Sequence, residues 1–472
     1  MAGALLRFAT LDARSLWLDE ALTADLLDRD LGGLLSGLTE ERTSSAPLYY
    51  LLAWPWTKLF GTGEIGLRSL PALVGTVTIP VAYAVGRELV SRRTGLVAAA
   101  LAAVSPLLVW QSQDARQYAL LVLLGGLSFL FFVRSLRTGR GQVLAAWAAA
   151  SALAVATHYL AIFLVAAEAA WLLRMSRRRP VAVAVGCVAA AVALLAPLIA
   201  VQRNLEQGSF VAELDLGSRI VQVPAQFLVG YQPPLQIASS IVAAVLALMA
   251  VGLLVRHGDE SERRVAAIAA AIGAAGLVGP ALLALVGVDY LLTRYLTGAW
   301  IAAAAVAAVG FGARAAGRAG PLGATVLCAL FVAVDLGSAW EPKFDRDDWR
   351  GAAAALGPPD PHRALVLTPR VGADALRYYR PRAEEAPAGQ RALHEIALVG
   401  LAPPFRKTGR KPHPPRPVSI PAPAPGFRLA DRREGEHFTI IRFRAASPRS
   451  VSLPDLADAS LGSTTSVLLE RP

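Results

Sequence analysis

The sequence predicts a mostly α-helical, polytopic membrane protein that ends in a small α/β domain. Of its 472 residues, 55% are hydrophobic and only 17% are charged, whereas soluble chains contain about a quarter charged residues. Apolar runs of about 20 residues recur up to residue 340, and a run of this length can cross a bilayer as a helix. Helices are expected because lipid offers no partner to an unpaired backbone group.

Ten of the apolar runs are predicted to be full membrane spans. They lie at residues 67–86, 94–111, 116–136, 142–157, 159–174, 180–201, 236–255, 265–287, 293–312 and 320–340. Residues 1–11 are also apolar, but they are too short to span and lack the basic start and cleavage site of a signal peptide. They are expected to be the end of a first helix that is only partial here.

Residues 12–66 are predicted to form a first extracytoplasmic loop with interfacial helices. The spacing of apolar residues favours one amphipathic helix from Leu16 to Leu38. The segment Pro47–Phe60 is apolar and aromatic, and Pro55 interrupts it, so an interfacial or broken helix is expected there.

Arginines alternate between the loops and predict the orientation of the chain. One set of loops holds 15 of them, namely Arg87, Arg92, Arg93, Arg134, Arg137, Arg140, Arg174, Arg177, Arg178, Arg179, Arg256, Arg263, Arg264, Arg314 and Arg318. The opposite set holds only Arg116, Arg203, Arg219 and Arg294. Cytoplasmic loops carry the excess of basic residues, so the first set is predicted to be cytoplasmic. The net charge of +11 is then an orientation signal, and no nucleic-acid partner is predicted.

The chain is therefore divided into a transmembrane domain, residues 1–340, and a soluble extracytoplasmic α/β domain, residues 341–472. Within the second domain, strands are predicted at 364–368 and 438–443, a helix at 373–379, and an irregular proline-rich loop at 403–425. The two cysteines, Cys187 and Cys328, lie in apolar runs and are interpreted as small core residues.

The first candidate for chemistry is the acidic pair Asp19 and Glu20, which follows Trp17. A partly desolvated carboxylate at the mouth of a helical bundle can act as a general base on an acceptor hydroxyl. The alternative is an ordinary helix cap or a solvated pair.

Two further polar breaks flank predicted spans. Asp114 and Arg116 could supply a second acid and a cation for a phosphate, or they could end their helices and pair with each other. Arg294, next to Tyr295, is costly at the start of a span unless it is paired or faces a wet cavity. It could contact a lipid-linked phosphate, or it could be a snorkelling arginine beside an interfacial tyrosine.

Three other polar residues, at two places in the chain, remain open at this point. His158 and Tyr159 occupy a tight turn between two spans, where a histidine more often packs or forms hydrogen bonds than binds a ligand. Glu168 lies deeper within a span and is either paired inside the bundle or lines a cavity.

Several stretches, taken in order, resemble one family. They are SLWLDEALTA, APLYYLLAWPWTKLFGTGEIGLRSLPALVG, SPLLVWQSQDARQYAL, THYLAIF and TRYL. The set resembles the bacterial glycosyltransferases of the protein O-mannosyltransferase and aminoarabinose-transferase superfamily over residues 5–340. The sequence Asp348-Trp349-Arg350 is similar to the start of the soluble tail in many relatives.

The resemblance implies a GT-C fold with an active site in an extracytoplasmic cavity of the cell (inner) membrane. It also implies a polyprenyl-phosphate-linked sugar donor and an inverting transfer. By the same resemblance, the catalytic residues are Asp19, with its neighbour Glu20, and Asp114. The implied substrate-binding pair is Arg294 and Tyr295, and the further substrate-binding residues expected here are Arg68, Arg116, Tyr118, His158 and Tyr159. Whether a divalent metal takes part is left open.

One departure from the family bears on the donor phosphate. Relatives often carry His-Pro-Pro-Leu-Tyr or a lysine where this sequence has Ser45-Ala46-Pro47-Leu48-Tyr49. The phosphate contact is therefore expected from another cation, namely Arg68, Arg116 or Arg294.

The expected activity is transfer of a sugar to an acceptor hydroxyl on a lipid, a glycan or a protein, by a carboxylate base. Two alternatives from other classes are kept. A transporter or lipid flippase would favour charged or broken helices near the midplane and repeated halves, and the sequence shows no internal repeat. An inactive cell-envelope scaffold would make Asp19 dispensable.

Overall fold

The computed structural model describes most of the chain. The described residues are 1–40, 43, 45–176, 179–203, 211, 214–231, 233–340, 347–401, 414–415, 417, 420–435, 437–459, 461 and 465–471. The chain divides into two compact units, of which the first comprises Met1–Leu11 and Leu26–Trp340. The second comprises Asp12–Asp25 and Glu341–Pro472. Residues 12–25 thus group with the C-terminal unit, although they were predicted to belong to the transmembrane domain.

The first unit consists of helices. In chain order they are α1 (Ala2–Phe8), α2 (Leu18–Asp28, of which Leu26 onwards belongs here), α3 (Leu31–Gly37), α4 (Leu48–Phe60), α5 (Glu64–Leu89), α6 (Arg92–Val104), α7 (Pro106–Ser112), α8 (Tyr118–Thr138), α9 (Gly141–Thr157), α10 (Ala161–Met175), α11 (Arg179–Arg203), α12 (Leu216–Val229), α13 (Gln236–His257), α14 (Glu260–Leu285), α15 (Thr293–Leu296), α16 (Trp300–Gly312) and α17 (Ala319–Trp340).

The ten predicted spans coincide with helices or with helix pairs of this unit, and the protein is a multi-pass membrane protein. By length and composition, seven helices within the described ranges could cross a membrane, or eight if α6 and α7, bent by 56°, form one span. Helices α9 and α10 are shorter, with 17 and 15 residues. The prediction of ten full spans therefore exceeds the seven or eight described helices that are long and apolar enough to cross a membrane.

Arginine-rich loops that were assigned to one face contact one another at one end of the bundle. The Nε of Arg134 lies 3.4 Å from the Glu88 carboxylate. An Nη of Arg137 donates to the Leu89 carbonyl at 3.2 Å, and an Nη of Arg93 donates to the Gly317 carbonyl at 2.8 Å. The loops that follow α5, α8 and α16 therefore lie at the same end of the bundle, as the charge alternation requires.

The amphipathic segment predicted as one helix from Leu16 to Leu38 is two helices, α2 and α3. The chain breaks because Asp30 adopts an extended conformation and its side chain accepts the Gly33 N–H at 2.7 Å, as an N-cap does. Lys58 of α4 donates to the carbonyls of Leu27 and Asp28 at 3.2 and 3.1 Å and so caps the end of α2. Helix α4 itself runs unbroken through Pro55.

Two polar or thiol side chains inside the spans have different surroundings. The Oε2 of Glu168 accepts the Ser128 hydroxyl at 2.5 Å and the Trp147 indole N–H at 2.8 Å. The first of its two alternatives is thus observed, a carboxyl paired inside the bundle. Cys187 is exposed on α11 and is not a core residue. A helix that spans a membrane can expose such a side chain, because lipid tails are themselves apolar.

The second unit contains a six-stranded mixed sheet in the order β2-β6-β1-β3-β5-β4. Its strands are β1 (Arg363–Thr368), β2 (Ala383–Glu385), β3 (Gln390–Leu401), β4 (Arg428–Glu434), β5 (Phe438–Ser452) and β6 (Ser466–Glu470), and its helices are α18 (Trp349–Ala355) and α19 (Gly372–Tyr379). Strands β1 and β3 are parallel, and the other pairs are antiparallel. The predicted strands at 364–368 and 438–443 and the predicted helix at 373–379 are confirmed. Most of the loop predicted at 403–425 lies outside the described residues.

Both faces of this sheet are covered, and its buried carboxylates Glu395 and Glu470 are paired with arginines. Trp349, Leu367 and Val399 belong to the apolar cluster on one face, and a second cluster covers the other. Glu470 is almost fully buried and is held by the guanidinium groups of Arg363 and Arg380. Burial of a carboxylate is tolerated only with such compensation.

Candidate active site

Three aromatic rings from distant parts of the sequence meet in the first unit. The ring centroids of Tyr118 and His158 are 6.4 Å apart, those of Tyr118 and Tyr295 6.2 Å, and those of His158 and Tyr295 5.0 Å. Tyr118 begins α8, His158 follows α9, and Tyr295 lies in the short helix α15. The structure therefore brings together three of the positions that the sequence singled out.

The approach of α8 to the segment after Tyr295 depends on a glycine. A Cβ atom at Gly125 would lie 2.5 Å from the carbonyl oxygen of Gly298, which is too close for any side chain. Glycine therefore lets the backbone of α8 reach the turn Thr297–Ala299 directly. This contact sets the helix of Tyr118 against the segment of Tyr295.

Two arginines flank the rings. The Arg294 guanidinium carbon lies 5.1 Å from the centre of the Tyr295 ring, and its Nη2 donates to the Tyr295 hydroxyl at 3.3 Å. Arg116 lies 5.9 Å from the centre of the Tyr50 ring. Both side chains are partly exposed, and cation–π contact holds each over an aromatic face. We call Arg116, Tyr118, His158, Arg294 and Tyr295 the cation cluster.

Burial, together with the positive charges of Arg116 and Arg294, lowers the pKa of His158 to about 3. The imidazole is therefore neutral at physiological pH. Its Nδ1 is 3.4 Å from the Leu160 backbone N–H and accepts from it. This bond assigns the ring proton to Nε2, because a neutral imidazole has one donor and one acceptor nitrogen.

The cation cluster is chemically suited to an anion with several oxygens. Guanidinium groups recognise phosphate through charge-assisted hydrogen bonds. A neutral imidazole adds a donor without adding a charge. Such an arrangement can offset negative charge that develops on a leaving phosphate.

Asp114 lies in the turn between α7 and α8, two residues before Arg116. It is 3% exposed, and its carbonyl accepts the Arg116 backbone N–H at 2.7 Å. The turn is anchored nearby, since the Gln113 amide donates to the Leu6 carbonyl at 2.8 Å and to the Thr10 hydroxyl at 2.9 Å. Asp114 is therefore held in the same turn as the first arginine of the cluster.

Two other predicted substrate-binding residues take part in backbone-anchoring contacts. Arg68 is 3% exposed and donates to the Leu11 carbonyl at 2.8 Å. The Tyr159 hydroxyl donates to Gln202 Oε1 at 2.8 Å, and the Gln202 amide donates to the carbonyls of Leu38 and Ser45. Burial raises the pKa of Tyr159 to about 12, so this phenol stays protonated.

Asp19 and Glu20 lie in the second unit, in the first turn of α2. Glu20 is fully buried, and its Oε2 accepts the Trp17 N–H at 3.4 Å. This is the reciprocal bond of a helix start, so Glu20 fits the capping interpretation. Asp19 is partly exposed, and its carbonyl accepts the Thr23 hydroxyl at 2.7 Å.

The segment just before α2 is tied to the C-terminal part of the second unit. The Ser15 hydroxyl donates to the Asp347 carbonyl at 2.6 Å and accepts the Trp349 N–H at 3.1 Å. The Leu16 N–H donates to the Tyr379 hydroxyl at 2.6 Å. These bonds explain why residues 12–25 group with the C-terminal unit and fix the start of the helix that carries Asp19.

Sequence reasoning missed several residues that shape this region, among them Tyr50, Gln202, Arg219 and Asp289. Tyr50 had a weak signal, an aromatic pair at the start of α4. The others had none, because each acts through a partner far away in the chain. Within the described part of the chain, no group of three or more His, Cys, Asp or Glu side chains could hold a metal ion.

Comparisons with known proteins bear on the fold and the family. The family described as dolichyl-phosphate-mannose-protein mannosyltransferase matches residues 44–201, and no curated protein matches the chain. The apo crystal structure of ArnT from Cupriavidus metallidurans is similar, with a TM-score of 0.54 and 14% identity over 79% of this chain and 82% of that one.

Two other solved structures are less similar. ArnT from the same organism bound to undecaprenyl phosphate gives a TM-score of 0.38 with 13% identity over 93% of this chain and 96% of that one. The Archaeoglobus fulgidus oligosaccharyltransferase in complex with zinc and sulfate gives 0.46 with 11% identity over 80% and 60%. The resemblance drawn from the sequence is confirmed: residues 44–201 match the dolichyl-phosphate-mannose-protein mannosyltransferase family, and the chain has the GT-C fold of ArnT.

Proposed function

We propose that this protein is a glycosyltransferase that moves a sugar from a polyprenyl-phosphate-linked donor to an acceptor hydroxyl. The observation that carries the proposal is the cation cluster, in which two partly exposed arginines flank a neutral histidine and two tyrosines. The matched family takes its name from a dolichyl-phosphate-linked sugar, and dolichyl phosphate is a polyprenyl phosphate. The chemistry of the cluster fits the phosphate of such a donor.

The position of Arg116 supports the idea that this arginine replaces the cation that relatives often carry near the position of Ser45. The Tyr50 hydroxyl is 3.4 Å from the Ser45 hydroxyl, and Arg116 lies over the ring of the same tyrosine. Arg116 is therefore beside the place where this sequence departs from the family pattern. We assign it, together with Arg294, to the donor phosphate.

The proposed reaction is a single displacement with inversion at the sugar carbon. Asp19 takes the proton of the acceptor hydroxyl while the acceptor oxygen forms a bond to the anomeric carbon. The bond between that carbon and the phosphate oxygen breaks, and its electron pair leaves with the polyprenyl phosphate. The phosphate gains negative charge in this step, so Arg116, Arg294 and the Nε2–H of His158 stabilise the transition state more than the bound donor.

Asp114 and Glu20 have secondary places in this proposal. Asp114 is the second candidate acid, because it shares a turn with Arg116. Glu20 is a weaker candidate for chemistry, since its carboxylate receives the Trp17 N–H at the start of α2. Tyr118 and Tyr295 provide the walls of the phosphate site.

We further propose that transfer occurs on the extracytoplasmic face of the cell membrane, where the C-terminal unit also lies. The support is the distribution of arginines between alternate loops and the contacts among the arginine-rich loops at one end of the bundle. The cluster residues all lie in or directly beside the loops of the opposite, arginine-poor set.

The test is sugar transfer by membranes that contain the protein, with a panel of labelled polyprenyl-phosphate sugars. Asp19→Asn is expected to lower the rate by about 10²- to 10⁴-fold at equal expression, the usual contribution of a general base. Arg294→Ala is expected to weaken donor use. Arg134→Ala, at the other end of α8, is the matched control and should retain wild-type transfer.

Each outcome discriminates between hypotheses. Transfer that survives Asp19→Asn would remove Asp19 as the base and direct attention to Asp114. A wild-type protein that uses no donor in the panel would favour the transporter or scaffold alternatives.

A further inference from the structure

We propose that Arg219 and Asp289 form an ion-pair clamp that positions Arg294 to bind the donor phosphate. Neither residue is assigned to the substrate; both act through the segment that carries Arg294. The inference rests on the proposed function only in that it assigns a phosphate to Arg294.

The clamp is a bidentate ion pair between α12 and the loop after α14. The Arg219 Nη1 donates to Asp289 Oδ1 at 2.7 Å, and its Nη2 donates to Asp289 Oδ2 at 2.5 Å. The side chains are only 5% and 12% exposed. Two parallel bonds fix the orientation as well as the distance of the two groups, and low exposure protects them from screening by salt.

The same two side chains also hold the backbone on either side of the pair. The Arg219 guanidinium donates to the carbonyls of Leu291 and Leu214 at 3.2 and 3.0 Å. Asp289 Oδ1 accepts the Leu291 N–H at 3.1 Å. The loop 289–291 is therefore fixed three residues before Arg294.

Helix α12 continues to contact the chain on both sides of Arg294. The Thr293 hydroxyl donates to Gln226 Oε1 at 2.5 Å, and the Trp300 indole N–H donates to the Phe227 carbonyl at 3.4 Å. Val223 packs with Leu291 and Leu296 in one apolar cluster. The segment 289–300 is thus bound along its length by one face of α12.

Arg294 needs such support because it lies at the very start of its helical segment. Helix α15 has four residues and continues through the turn Thr297–Ala299 into α16, so Arg294 belongs to the first turn, whose backbone N–H groups have no partner within the helix. A displacement of about 1 Å in a binding group can cost about 10²-fold in rate. We infer that the charge pair, together with its backbone bonds, supplies the accuracy that α15 lacks.

The experiment measures binding of undecaprenyl phosphate, used as the probe, to the purified full-length protein in nanodiscs. Binding is separate from turnover, so a defect in the base or the acceptor does not affect it. Arg219→Ala is expected to raise the Kd about tenfold, since Arg294 is then displaced and not removed. The charge exchange Arg219→Asp with Asp289→Arg is expected to restore binding to within about threefold of wild type.

A double-mutant cycle distinguishes positioning from general destabilisation. If Arg219 acts through Arg294, then Arg219→Ala will have no further effect on the Kd in an Arg294→Ala background. If Arg219 only stabilises the fold, the two losses will add, and the proposal is overturned. Arg134→Ala, which removes the cation of a distant ion pair with Glu88, is the matched control and should bind as wild type.

The failure of this inference and the failure of the proposed function give different results. Wild-type protein that does not bind the probe contradicts the proposed function. Binding by wild type that is lost in Arg294→Ala but unchanged in Arg219→Ala refutes the clamp and leaves the proposed function standing. The expected result is loss in both single variants, recovery in the charge exchange and no additivity in the double variant.

Discussion

The contact between Arg116 and Tyr50 provides a sharp test of how the phosphate site is built. Replacement of Tyr50 by leucine removes the ring on which Arg116 lies, whereas replacement by phenylalanine keeps the ring and removes only the hydroxyl. The hydroxyl contact with Ser45 is long, at 3.4 Å, so its loss should matter little. The pair of variants therefore separates the ring from the hydroxyl.

The magnitude follows from burial. A cation–π contact contributes about 0.5–1 kcal/mol when exposed and about 2 kcal/mol when desolvated. Tyr50 is 1% exposed, while Arg116 is partly exposed, so an intermediate value of about 1–1.4 kcal/mol is expected. This corresponds to about a five- to tenfold rise in the Kd for undecaprenyl phosphate in Tyr50→Leu. Tyr50→Phe should stay within about twofold of wild type.

The assay is equilibrium binding of the probe, with thermal unfolding of each variant as the control for stability. Equal defects in Tyr50→Leu and Tyr50→Phe would show that the hydroxyl matters and that the ring does not. Wild-type binding by Tyr50→Leu would refute the claim that the Tyr50 ring orients Arg116 for the donor phosphate.

Three further predictions concern other parts of the molecule. Because the pKa of His158 is lowered to about 3, donor binding should show no imidazole titration near pH 6.5. The variant His158→Gln keeps an N–H donor and should give a pH profile of the same shape from about pH 5.5 to 8. An inflection found only in wild type would contradict a neutral His158. The Arg219 hydrogen bonds lower the pKa of Asp289 below its usual 3.8. A carboxyl group whose pKa is lowered by folding stabilises the fold fully at pH values above its usual pKa of 3.8. This contribution is lost as the pH falls through the lowered pKa of the folded state. Wild type should therefore unfold at a higher temperature than Asp289→Asn at pH 7, and the difference should shrink below pH 3.8; a constant difference would argue against the ion pair. Glu470→Ala leaves the buried Arg363 and Arg380 without their shared carboxylate, so the second unit should lose about 3–5 kcal/mol of stability, while Glu470→Gln should lose less. The measurement is limited proteolysis of the full-length protein in urea. Equal resistance of wild type and both variants would contradict the importance of this pairing.

The transmembrane fold could be predicted because the membrane restricts what a sequence can do. Each apolar run must form a helix, so the run that became α8 was recognised from composition alone. The division of the loops by arginine content was likewise visible without a structure. The exceptions are informative: Asp30 divides the segment predicted as one helix, because a capping side chain can end a helix within an amphipathic pattern.

The candidate site was predicted in its parts but not in its arrangement. Arg294 was identified because an arginine at the start of a span is costly unless it is paired or faces a wet cavity, and Arg116 because it lies in a polar break between two spans. No local feature favoured them over Arg68, whose guanidinium contacts a backbone carbonyl in the fold. It also treated Glu20 and Asp19 alike, although only Glu20 accepts the N–H that starts α2.

The sequence by itself determined the class of the protein, the positions of its helices and the polar stretches from which a site could be built. These depend on composition and local spacing, which are properties of neighbouring residues. Only the tertiary structure decided that Tyr118, His158 and Tyr295 meet, that Arg116 lies over Tyr50, and that Arg219 holds Asp289 across 70 residues of chain. Contacts of this kind are set by how helices pack, and packing depends on the whole chain at once. No local pattern records them.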